Sequence, residues 1–416
     1  MPLTSTSMQL AWLEYLNAFR NVTRQYRRSL FGVAAVTFGV VALTLAAGFI
    51  EWIIWSAGDG TIQSGIGHIN VMRRGYLEDG QADPIKYILP QESSLKEAIA
   101  RFPAVRLITP RLAFTGLMSH GEATISFIGE GVSPEGERAL TPKLNIPAGQ
   151  ALSSDDPKGI VLGLGLAENL GVKVGAKVVL LTTTAAGGIT GVECTVRGLF
   201  TTMSKAFDDA ALRVPLPLAQ QLLHVSGSHR WVVLLDDTKH TTATLLALRK
   251  EFDDNGVEFM PWYDLGDFYK KVVTLLSAQI GVVKLIIAVI IILSISNTMM
   301  MNVLERTAEI GTCLAIGRTK RQILRQFVFE GATIGLIGGA IGVCVAWVLS
   351  VLISWIGIPM PPPPGMSQGY SGEIMFTRQL ALNALCIAVS TALLASFYPA
   401  WKASRMQIVE ALRHSR

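Results

Sequence analysis

The sequence predicts a membrane protein with four transmembrane α-helices and a large extracytoplasmic α+β domain between the first and second helices. Hydrophobic residues make up 50% of the chain and charged residues only 16%, a balance typical of membrane proteins rather than soluble ones. Four stretches are apolar over a length that crosses a bilayer. Between the first two, residues 56–271 show short strand-like and helix-like patterns, which indicate a folded domain outside the membrane.

The chain begins with a basic amphipathic segment, predicted as a cytoplasmic interfacial helix over residues 1–29. Within Leu10–Arg28 the apolar side chains fall on roughly one helical face and the arginines largely elsewhere, the pattern of a helix in the headgroup region. A simple cytoplasmic lead-in is the alternative. Phe31–Ile50 is uncharged and of spanning length, so transmembrane helix 1 is placed at residues 30–55 with its N-terminus in the cytoplasm.

Residues 56–271 are predicted to form the extracytoplasmic α+β domain. Runs of β-branched and aromatic residues predict strands at Ile66–Met72, Arg106–Met118, Glu122–Gly131, Lys177–Thr184 and Arg230–Leu235. Apolar periodicity predicts helices at Ser93–Arg101, Leu216–Leu223 and Thr241–Phe252. Gly121 suits a hairpin turn between two of the strands. Long domains cross the membrane whatever their charge, so the cations of this domain do not contradict its location.

Three further spans follow the domain. Tyr263–Gln279 is predicted as a helix that runs without a break into the second span. Residues 272–301 therefore hold the end of this stalk and transmembrane helix 2. The remaining segments are transmembrane helix 3 at residues 327–358, a short extracytoplasmic loop at 359–379 that contains Pro361–Pro364, transmembrane helix 4 at 380–401 and a cytoplasmic tail at 402–416.

A charged segment at residues 302–326 separates the second and third spans. Five cations place it in the cytoplasm by the positive-inside rule: Arg306, Arg318, Lys320, Arg321 and Arg325. Ala308–Ile316 predicts a short helix, Gly317 offers a stop and Thr319–Gln326 predicts a second, amphipathic helix. A short helix across the ends of two spans can pass force between a soluble motor and those spans. An ordinary loop with solvated charges is the alternative.

Small residues and sparse charges mark the spans. Gly331, Gly335 and Gly339 recur every four residues, a face that permits close helix contact, either within one subunit or between two. Lys284 lies about 27 Å along the helix from Asn302, near the outer surface of a ~30 Å core. Its stem is predicted to reach water, with a buried role left open. With no charge near mid-membrane, the spans offer no proton relay.

Common motifs of catalysis and metal binding do not stand out. The sequence contains no GxxxxGK[ST] and no HExxH, so we predict no catalytic, cofactor or metal site and place any use of ATP on another polypeptide. Gly163-x-Gly165 lacks the third glycine and the acidic residue of a dinucleotide site. Asp208-Asp209 predicts a surface loop rather than an acid/base pair. Cations beside the spans favour membrane lipid, and not nucleic acid, as a partner.

Two groups of motifs in the last third of the chain resemble a known family. The charged segment contains Glu305-Arg306-Thr307-x-Glu309-Ile310-Gly311, then Ala315-x-Gly317, then Ile323 and Phe327-x-x-Glu330. Near the C-terminus stand Tyr398-Pro399-Ala400, Ala403-x-Arg405 and Val409-Glu410-Ala411-Leu412-Arg413. These motifs resemble the coupling segment and C-terminus of the MacB/FtsX/lipoprotein-releasing (LolC/LolE-like) permeases of ATP-binding-cassette (ABC) transporters. Gly67–Val71 and Gly163–Gly175 resemble parts of the family's periplasmic domain more loosely.

The resemblance implies a MacB-like periplasmic core domain, with an inserted subdomain at about residues 133–223, in a non-catalytic, multi-pass permease of the bacterial inner membrane. It implies a coupling site for two copies of an ABC ATPase that holds ATP and Mg: Glu305, Arg306, Glu309, Ile310, Gly311, Ala315 and Gly317. A second permease subunit, identical or a diverged sister, would complete the complex. Mechanotransmission would then move a lipoprotein or other hydrophobic cargo toward the outer membrane, with a periplasmic carrier or adaptor as a further partner.

Two alternatives stay open within the same resemblance. One is a permease for tripartite efflux of drugs or peptides. The other is an FtsX-like transmembrane switch that controls a cell-wall hydrolase. A soluble carrier bound to the outer domain would favour lipoprotein release, whereas a bound hydrolase would favour the switch.

Overall fold

The structure is a computed structural model that describes residues 26–80, 84–142, 144–202, 204–252, 255–361 and 369–407. The chain forms two compact units. The membrane unit holds the chain up to Ile54, Val273–Ile358 and the residues from Ser371 onward. The extracytoplasmic unit holds Trp55–Val272 and Pro359–Tyr370. The predicted interfacial helix lies, up to residue 25, outside the described residues, and at Tyr26 the chain is already in its first long helix.

The described α-helices are, in chain order, α1 (Tyr26–Thr61), α2 (Tyr76–Asp79), α3 (Ser94–Ala100), α4 (Pro134–Leu140), α5 (Leu164–Leu170), α6 (Lys205–Asp208), α7 (Leu216–Leu223), α8 (Thr241–Phe252), α9 (Trp262–Leu265), α10 (Asp267–Glu305), α11 (Thr307–Ala315), α12 (Lys320–Ile356) and α13 (Arg378–Ser404). A π-helical turn at Ile62–Ile66 follows α1. The strands are β1 (Ile69–Arg73), β2 (Val105–His120), β3 (Ala123–Val132), β4 (Asn145–Gly149), β5 (Gly159–Gly163), β6 (Lys177–Thr183), β7 (Ile189–Thr201), β8 (Ala211–Pro215), β9 (Arg230–Leu235), β10 (Val257–Pro261), β11 (Ile358–Met360) and β12 (Tyr370–Gly372).

Within the residues that the structure describes, four helices are long and apolar enough to cross a membrane, as the sequence predicts. They cover Ser29–Ile66, Tyr269–Glu305, Lys320–Ile356 and Arg378–Ser404. Each contains a window of mean hydropathy between 2.0 and 2.6, and each exceeds the length of about 20 residues that a bilayer requires. The predicted fold class of four transmembrane helices with an extracytoplasmic α/β domain is therefore confirmed.

Two helix boundaries differ from the predictions. The predicted unbroken helix from Tyr263 is wrong: Gly266 leaves the helical conformation with φ −87° and ψ 79° and ends the four-residue helix α9. From Asp267 onward α10 then continues to Glu305. The predicted separate helix at Thr319–Gln326 is also wrong, because α12 continues from Lys320 through the third span to Ile356. No glycine or proline interrupts the chain between Lys320 and Glu330, so nothing ends the helix there.

The core of the membrane unit is built from one face of each long helix. Residues of α1, α10, α12 and α13 come together in one buried apolar cluster, which includes Val36, Val40, Ile291, Ile295, Phe327, Ile334, Ala388 and Ala392. The cluster also takes in Ile310 of the short helix α11. That helix is therefore packed onto the ends of the spans rather than held away from them.

A ten-stranded sheet organises the extracytoplasmic unit, with strand order β10-β1-β9-β2-β3-β8-β5-β7-β4 and β6 paired with β2 and β7. The predicted hairpin is present: β2 and β3 pair antiparallel from His120↔Ala123 to Arg111↔Val132. Gly121 stands at its tip with φ +60°, a conformation that glycine adopts without strain. All five predicted strands and all three predicted helices of this unit are present, with ends shifted by a few residues at most.

The predictions missed the strands β4, β5, β7, β8 and β10. Every residue of β5 and of β8 is buried, so neither strand shows the alternation that identifies a half-exposed strand. Among the described residues, four buried apolar clusters contain side chains of this sheet, and two of them are large. The larger surrounds Leu112, Phe127 and Leu180, and the smaller surrounds Trp231, Val233 and Leu248.

Candidate functional site

The short helix α11 lies between the two longest helices of the last third of the chain, α10 and α12. Arg306 separates α10 from α11 with φ −95° and ψ 16°, outside regular helix geometry. After α11 the chain reverses at Gly317, whose φ of +100° is a left-handed conformation that favours glycine. Thr319 then begins α12 with a capping box, because its hydroxyl accepts from Gln322 N–H and the Gln322 side chain accepts from Thr319 N–H. The turn on each side of α11 is thus specified locally.

One ionic cluster ties α11 to α12. Arg306 Nη1 donates to Glu330 Oε1 at 3.0 Å, and Arg306 Nε donates to Glu309 Oε2 at 2.9 Å. The guanidinium also lies 5.7 Å from the centroid of the Phe327 ring, within cation–π range. The Glu330 side chain is only 4% exposed and that of Arg306 14%, whereas Glu309 is 67% exposed. The contact to Glu330 is therefore the buried one.

The electrostatics of this cluster favour the charged guanidinium. Burial alone would lower the pKa of Arg306, but the carboxylates of Glu330 and Glu309 outweigh burial, so the pKa of Arg306 is raised above its ordinary value. Breaking a buried pair by removing one partner leaves an uncompensated charge in a low dielectric. The pair between Arg306 and Glu330 therefore holds the start of α11 against α12.

Helix α11 has one buried and one exposed face. Ile310 and Gly311 are buried. Glu309, Thr312 and Ile316, spaced by three and four residues, are exposed, and we call them the exposed ridge. Ile316 is 80% exposed. The ridge thus offers a carboxylate, a hydroxyl and an apolar side chain to a partner.

The structure places the predicted coupling residues on both faces of this segment. Arg306 and Glu309 bond to each other, while Ile310 and Gly311 are buried against the membrane unit. Glu305, Ala315 and Gly317 are exposed. Three contributors stood outside the predicted site. From the sequence, Glu330 is included only as part of a motif and Ile316 only as the end of a predicted helix. Asn302 is used only as the first residue of the charged segment, but the structure buries this side chain and leaves its Oδ1 atom without a hydrogen-bond partner.

The predicted glycine face meets another span of the same chain. A side chain at Gly331 would collide with Ser396 of α13, and one at Gly335 would place its Cβ 2.5 Å from Ala392 Cβ. Gly339 faces Leu385 of the same helix. A second set of glycines, Gly338 and Gly342, meets α1 at Val36 and Val40. Glycines on two sides of α12 therefore let α13 and α1 approach its backbone closely.

Within the part of the chain that the structure describes, no group of three or more histidine, cysteine, aspartate or glutamate side chains could hold a metal ion. The described cysteines, Cys194, Cys313, Cys344 and Cys386, are free. The chemistry of the site is therefore that of ion pairs, hydrogen bonds and apolar contact.

Comparison with known proteins assigns the chain that contains this site to a family. Residues 281–408, which contain the whole ionic cluster, match the FtsX-like permease C-terminal domain. Residues 29–251 match the MacB-like periplasmic core domain, which covers more than half of the chain. The chain belongs to the MacB/FtsX-like permease family. Its large domain is thus a MacB-like periplasmic core domain, and α11 lies within the region that matches an FtsX-like permease.

Individual relatives match parts of this permease. The macrolide export ATP-binding/permease protein MacB of Syntrophobacter fumaroxidans is 31% identical over 166 residues, which are 36% of this chain and 20% of that protein. The ABC transporter permease YtrF of Bacillus subtilis is 34% identical over 139 residues, 32% of this chain and 31% of YtrF. The periplasmic region of MacB from Actinobacillus actinomycetemcomitans aligns with 50% of this chain and 94% of its own, at 13% identity and a TM-score of 0.36. The chain spans between 20% and 25% of the length of the MacB relatives from Syntrophobacter and Brucella.

Proposed function

We propose that this permease is the membrane subunit of an ABC transporter in the bacterial inner membrane, with its core domain in the periplasm. ATP hydrolysis would occur on two copies of a separate ABC ATPase, which would hold ATP and Mg. Membership of the family supports the transporter class. The sequence printed here has no GxxxxGK[ST] motif, and this motif is what cradles nucleotide phosphates in such ATPases. The fused names of the MacB relatives describe proteins that carry both parts.

The observation that carries the proposal is the ion-paired helix between two spans. The exposed ridge would contact the ATPase, with Glu309 supplying charge and Ile316 an apolar anchor. Arg306 would then pass the displacement to α12, because its buried bond to Glu330 links the two helices directly. Gly311 is buried, so α11 packs against the spans at this position. This packing restricts rotation of α11 relative to the spans.

Transmission away from this site would follow α10. This helix runs from Asp267 to Glu305 as one element of 39 residues. A straight α-helix of this length extends for about 58 Å, which exceeds the ~30 Å hydrocarbon core. A displacement beside Glu305 would therefore travel along continuous backbone to the periplasmic side.

The cargo is proposed to be a lipoprotein or another hydrophobic or lipid-linked molecule that moves toward the outer membrane. Lys284 is the single Asp, Glu, Lys or Arg residue between Val272 and Glu305 in α10, which leaves no chain of ionisable groups for a polar path. A mechanism that moves its cargo on the periplasmic side of the membrane requires no polar path through the spans. A second permease subunit, and a periplasmic carrier or adaptor, would complete the machine.

Tripartite efflux is the second candidate. The relatives that match include several proteins named for macrolide export, and a drug or peptide delivered to an adaptor would also need no path through the spans. An FtsX-like switch of a cell-wall hydrolase would use the same coupling helix without any cargo.

The test is recruitment of the ATPase. Tagged full-length chain is purified from its native membrane, and the co-purifying ABC ATPase is identified and quantified together with its ATP hydrolysis. Glu309→Lys reverses a charge on the exposed ridge and should reduce recruitment several-fold, because like charges then face each other. Glu251→Lys makes the same change at an exposed site of the core domain and should leave recruitment unchanged. Equal recruitment by both variants would contradict the proposed contact.

A further inference from the structure

Four charged side chains are buried together in the core domain, Arg111, Glu130, Glu137 and Arg213, and the half-buried Arg230 pairs with one of them. Arg111 bonds to both glutamates, and Arg230 Nη2 lies 2.6 Å from Glu130 Oε1. Burial alone would raise the pKa of Glu130, but Arg111, Arg230 and Arg213 lower it to about 2. Glu130 is therefore ionised at neutral pH. Three guanidiniums face the carboxylates of Glu130 and Glu137, and the buried carboxyl group of Asp208 also interacts electrostatically with Arg213.

Two side-chain nitrogens of Arg213 have no hydrogen-bond partner, whereas Arg111 has one such nitrogen, its Nε. Its side chain is 1% exposed. Nη2 donates to Ser64 O at 2.9 Å, whereas Nε and Nη1 make no hydrogen bond. Nη1 lies 2.7 Å from Glu137 Oε1, so this contact is an ion pair whose angles do not suit a hydrogen bond. Buried donors without an acceptor are costly, and an incoming anionic oxygen would satisfy them.

A cavity of about 330 Å³ opens beside this arginine. Its charged lining residues are Glu137, Arg138 and Arg213, and the Arg213 guanidinium lies 5.0 Å from the centroid of the Phe200 ring. Its walls are mostly apolar, formed by Leu144, Ile146, Leu152, Val161 and Phe200. Its rim contains Arg138 and Ala151, which are both exposed. Apolar walls around a few polar groups are the usual composition of a small-molecule site.

We propose that this cavity binds a small anionic amphiphile, a single apolar chain that ends in a carboxylate or phosphate. The anionic head would lie on Arg213, whose positive charge favours a carboxylate or phosphate and whose Nε and Nη1 make no hydrogen bond. The chain would lie along Leu144, Leu152 and Val161. Two arginines and one glutamate line the cavity, so an anionic head would compensate the remaining positive charge, whereas a cationic head would add to it and a neutral alcohol would leave it unchanged. Binding here requires neither the ATPase nor a transport cycle.

The test measures protection of a cysteine at the rim. Ala151→Cys is introduced into the full-length chain in lipid nanodiscs, and its labelling by a water-soluble maleimide is followed by mass spectrometry of that peptide. Ala186→Cys, at an exposed alanine on the hairpin between β6 and β7, is the matched control. The probes are octanoate and monooctyl phosphate, with octanol, octylammonium and acetate as comparisons. If octanoate protects the cysteine at the lower concentration, the ligand is of the fatty-acid type. If monooctyl phosphate does so, the ligand is derived from a phospholipid.

Occupancy of the cavity predicts slower labelling of the Ala151→Cys variant with octanoate or monooctyl phosphate. At a concentration about ten times Kd, only about a tenth of the sites stay free, so the rate should fall about tenfold. Octanol, octylammonium and acetate should leave the rate unchanged, and the Ala186→Cys control should respond to none of the probes. The proposal is overturned if the rim cysteine is not protected, if octanol protects it equally, or if the control cysteine is protected as well.

Two further variants, each combined with Ala151→Cys, test the mode of binding. Arg213→Lys keeps the charge but removes the planar fork, and it should weaken protection by octanoate at least tenfold. Because Arg213 is also part of the buried cluster, this variant can fail to fold. Ile146→Trp, on the half-buried wall strand β4, fills the cavity without touching the ionic cluster. Undiminished protection of the rim cysteine in the Ile146→Trp background would overturn the assignment of the ligand to this cavity.

Discussion

Arg306→Met should lower the free energy of local opening of α11 far more than Glu309→Gln, which removes the exposed partner of Arg306. Methionine keeps the apolar stem against Phe327 and removes the positive charge that pairs with the carboxylate of Glu330, whose side chain is 4% exposed. Breaking a buried pair in this way costs about 3–5 kcal/mol. Glu309→Gln removes only the contact to a side chain that is 67% exposed, and exposed pairs contribute roughly 0–1 kcal/mol.

Hydrogen exchange of the backbone amides of residues 307–315, in nanodiscs at pH 7, measures this difference. A loss of about 3–5 kcal/mol in the free energy of local opening accelerates exchange by roughly two to four orders of magnitude. Glu309→Gln should accelerate it by less than about tenfold. The double variant Arg306→Met/Glu330→Gln should recover part of the loss, because the two residues are coupled. Exchange in Arg306→Met no faster than in Glu309→Gln would refute the buried link between α11 and α12.

Two other predictions concern the cores of the two units. Burial lowers the pKa of both His68 and His229 to about 4, so the core domain should be fully stable above pH 6.5 and lose up to roughly 3 kcal/mol for each histidine as pH falls toward 4. Denaturant midpoints across this range measure the loss, and a His68→Gln/His229→Gln variant with an equally steep profile would contradict the cause. Gly335→Leu should destabilise the membrane unit by about 1–3 kcal/mol through collision with Ala392. Ala340→Leu, on the exposed side of α12, should leave the melting temperature within about 2 °C of the parent, and equal losses in both would argue against a close α12–α13 contact.

Periodic patterns predicted much of this fold because they depend on local burial. The four spans are continuous apolar runs, and the strand Arg230–Leu235 and the helix Leu216–Leu223 have the ends that the sequence predicts. The strands Gly159–Gly163 and Ala211–Pro215 are buried throughout. Such runs carry no alternation of apolar and polar residues. The first strand pairs parallel with β7 and the second with β3, and these partners are far away in the chain. The buried pairing of Arg111 with Glu130 and Glu137 could not be predicted for the same reason.

The candidate site was predictable in its position but not in its contacts. Charge and glycine placement locate a short cytoplasmic helix between two spans. The bond between Arg306 and Glu330 joins residues 24 positions apart, and it depends on the reversal at Gly317 and on α12 starting at Lys320 instead of after Gln326. The capping box at Thr319 shows that a helix starts at Lys320. It does not show whether that helix ends before Phe327 or continues into the third span, so the sequence did not separate these two possibilities.

The most direct test of the central claim is a photocrosslink from the exposed ridge to the ATPase. Benzoylphenylalanine replaces Ile316, which is 80% exposed, or Ile189 on the core domain, which is 81% exposed. Intact cells that contain the ATPase are irradiated, and adducts are identified by mass spectrometry. We predict an adduct between the ATPase and residue 316 and none from residue 189. An ATPase that co-purifies with the Ile316 variant yet forms no adduct there, or one that is captured from residue 189, would contradict the proposed coupling contact.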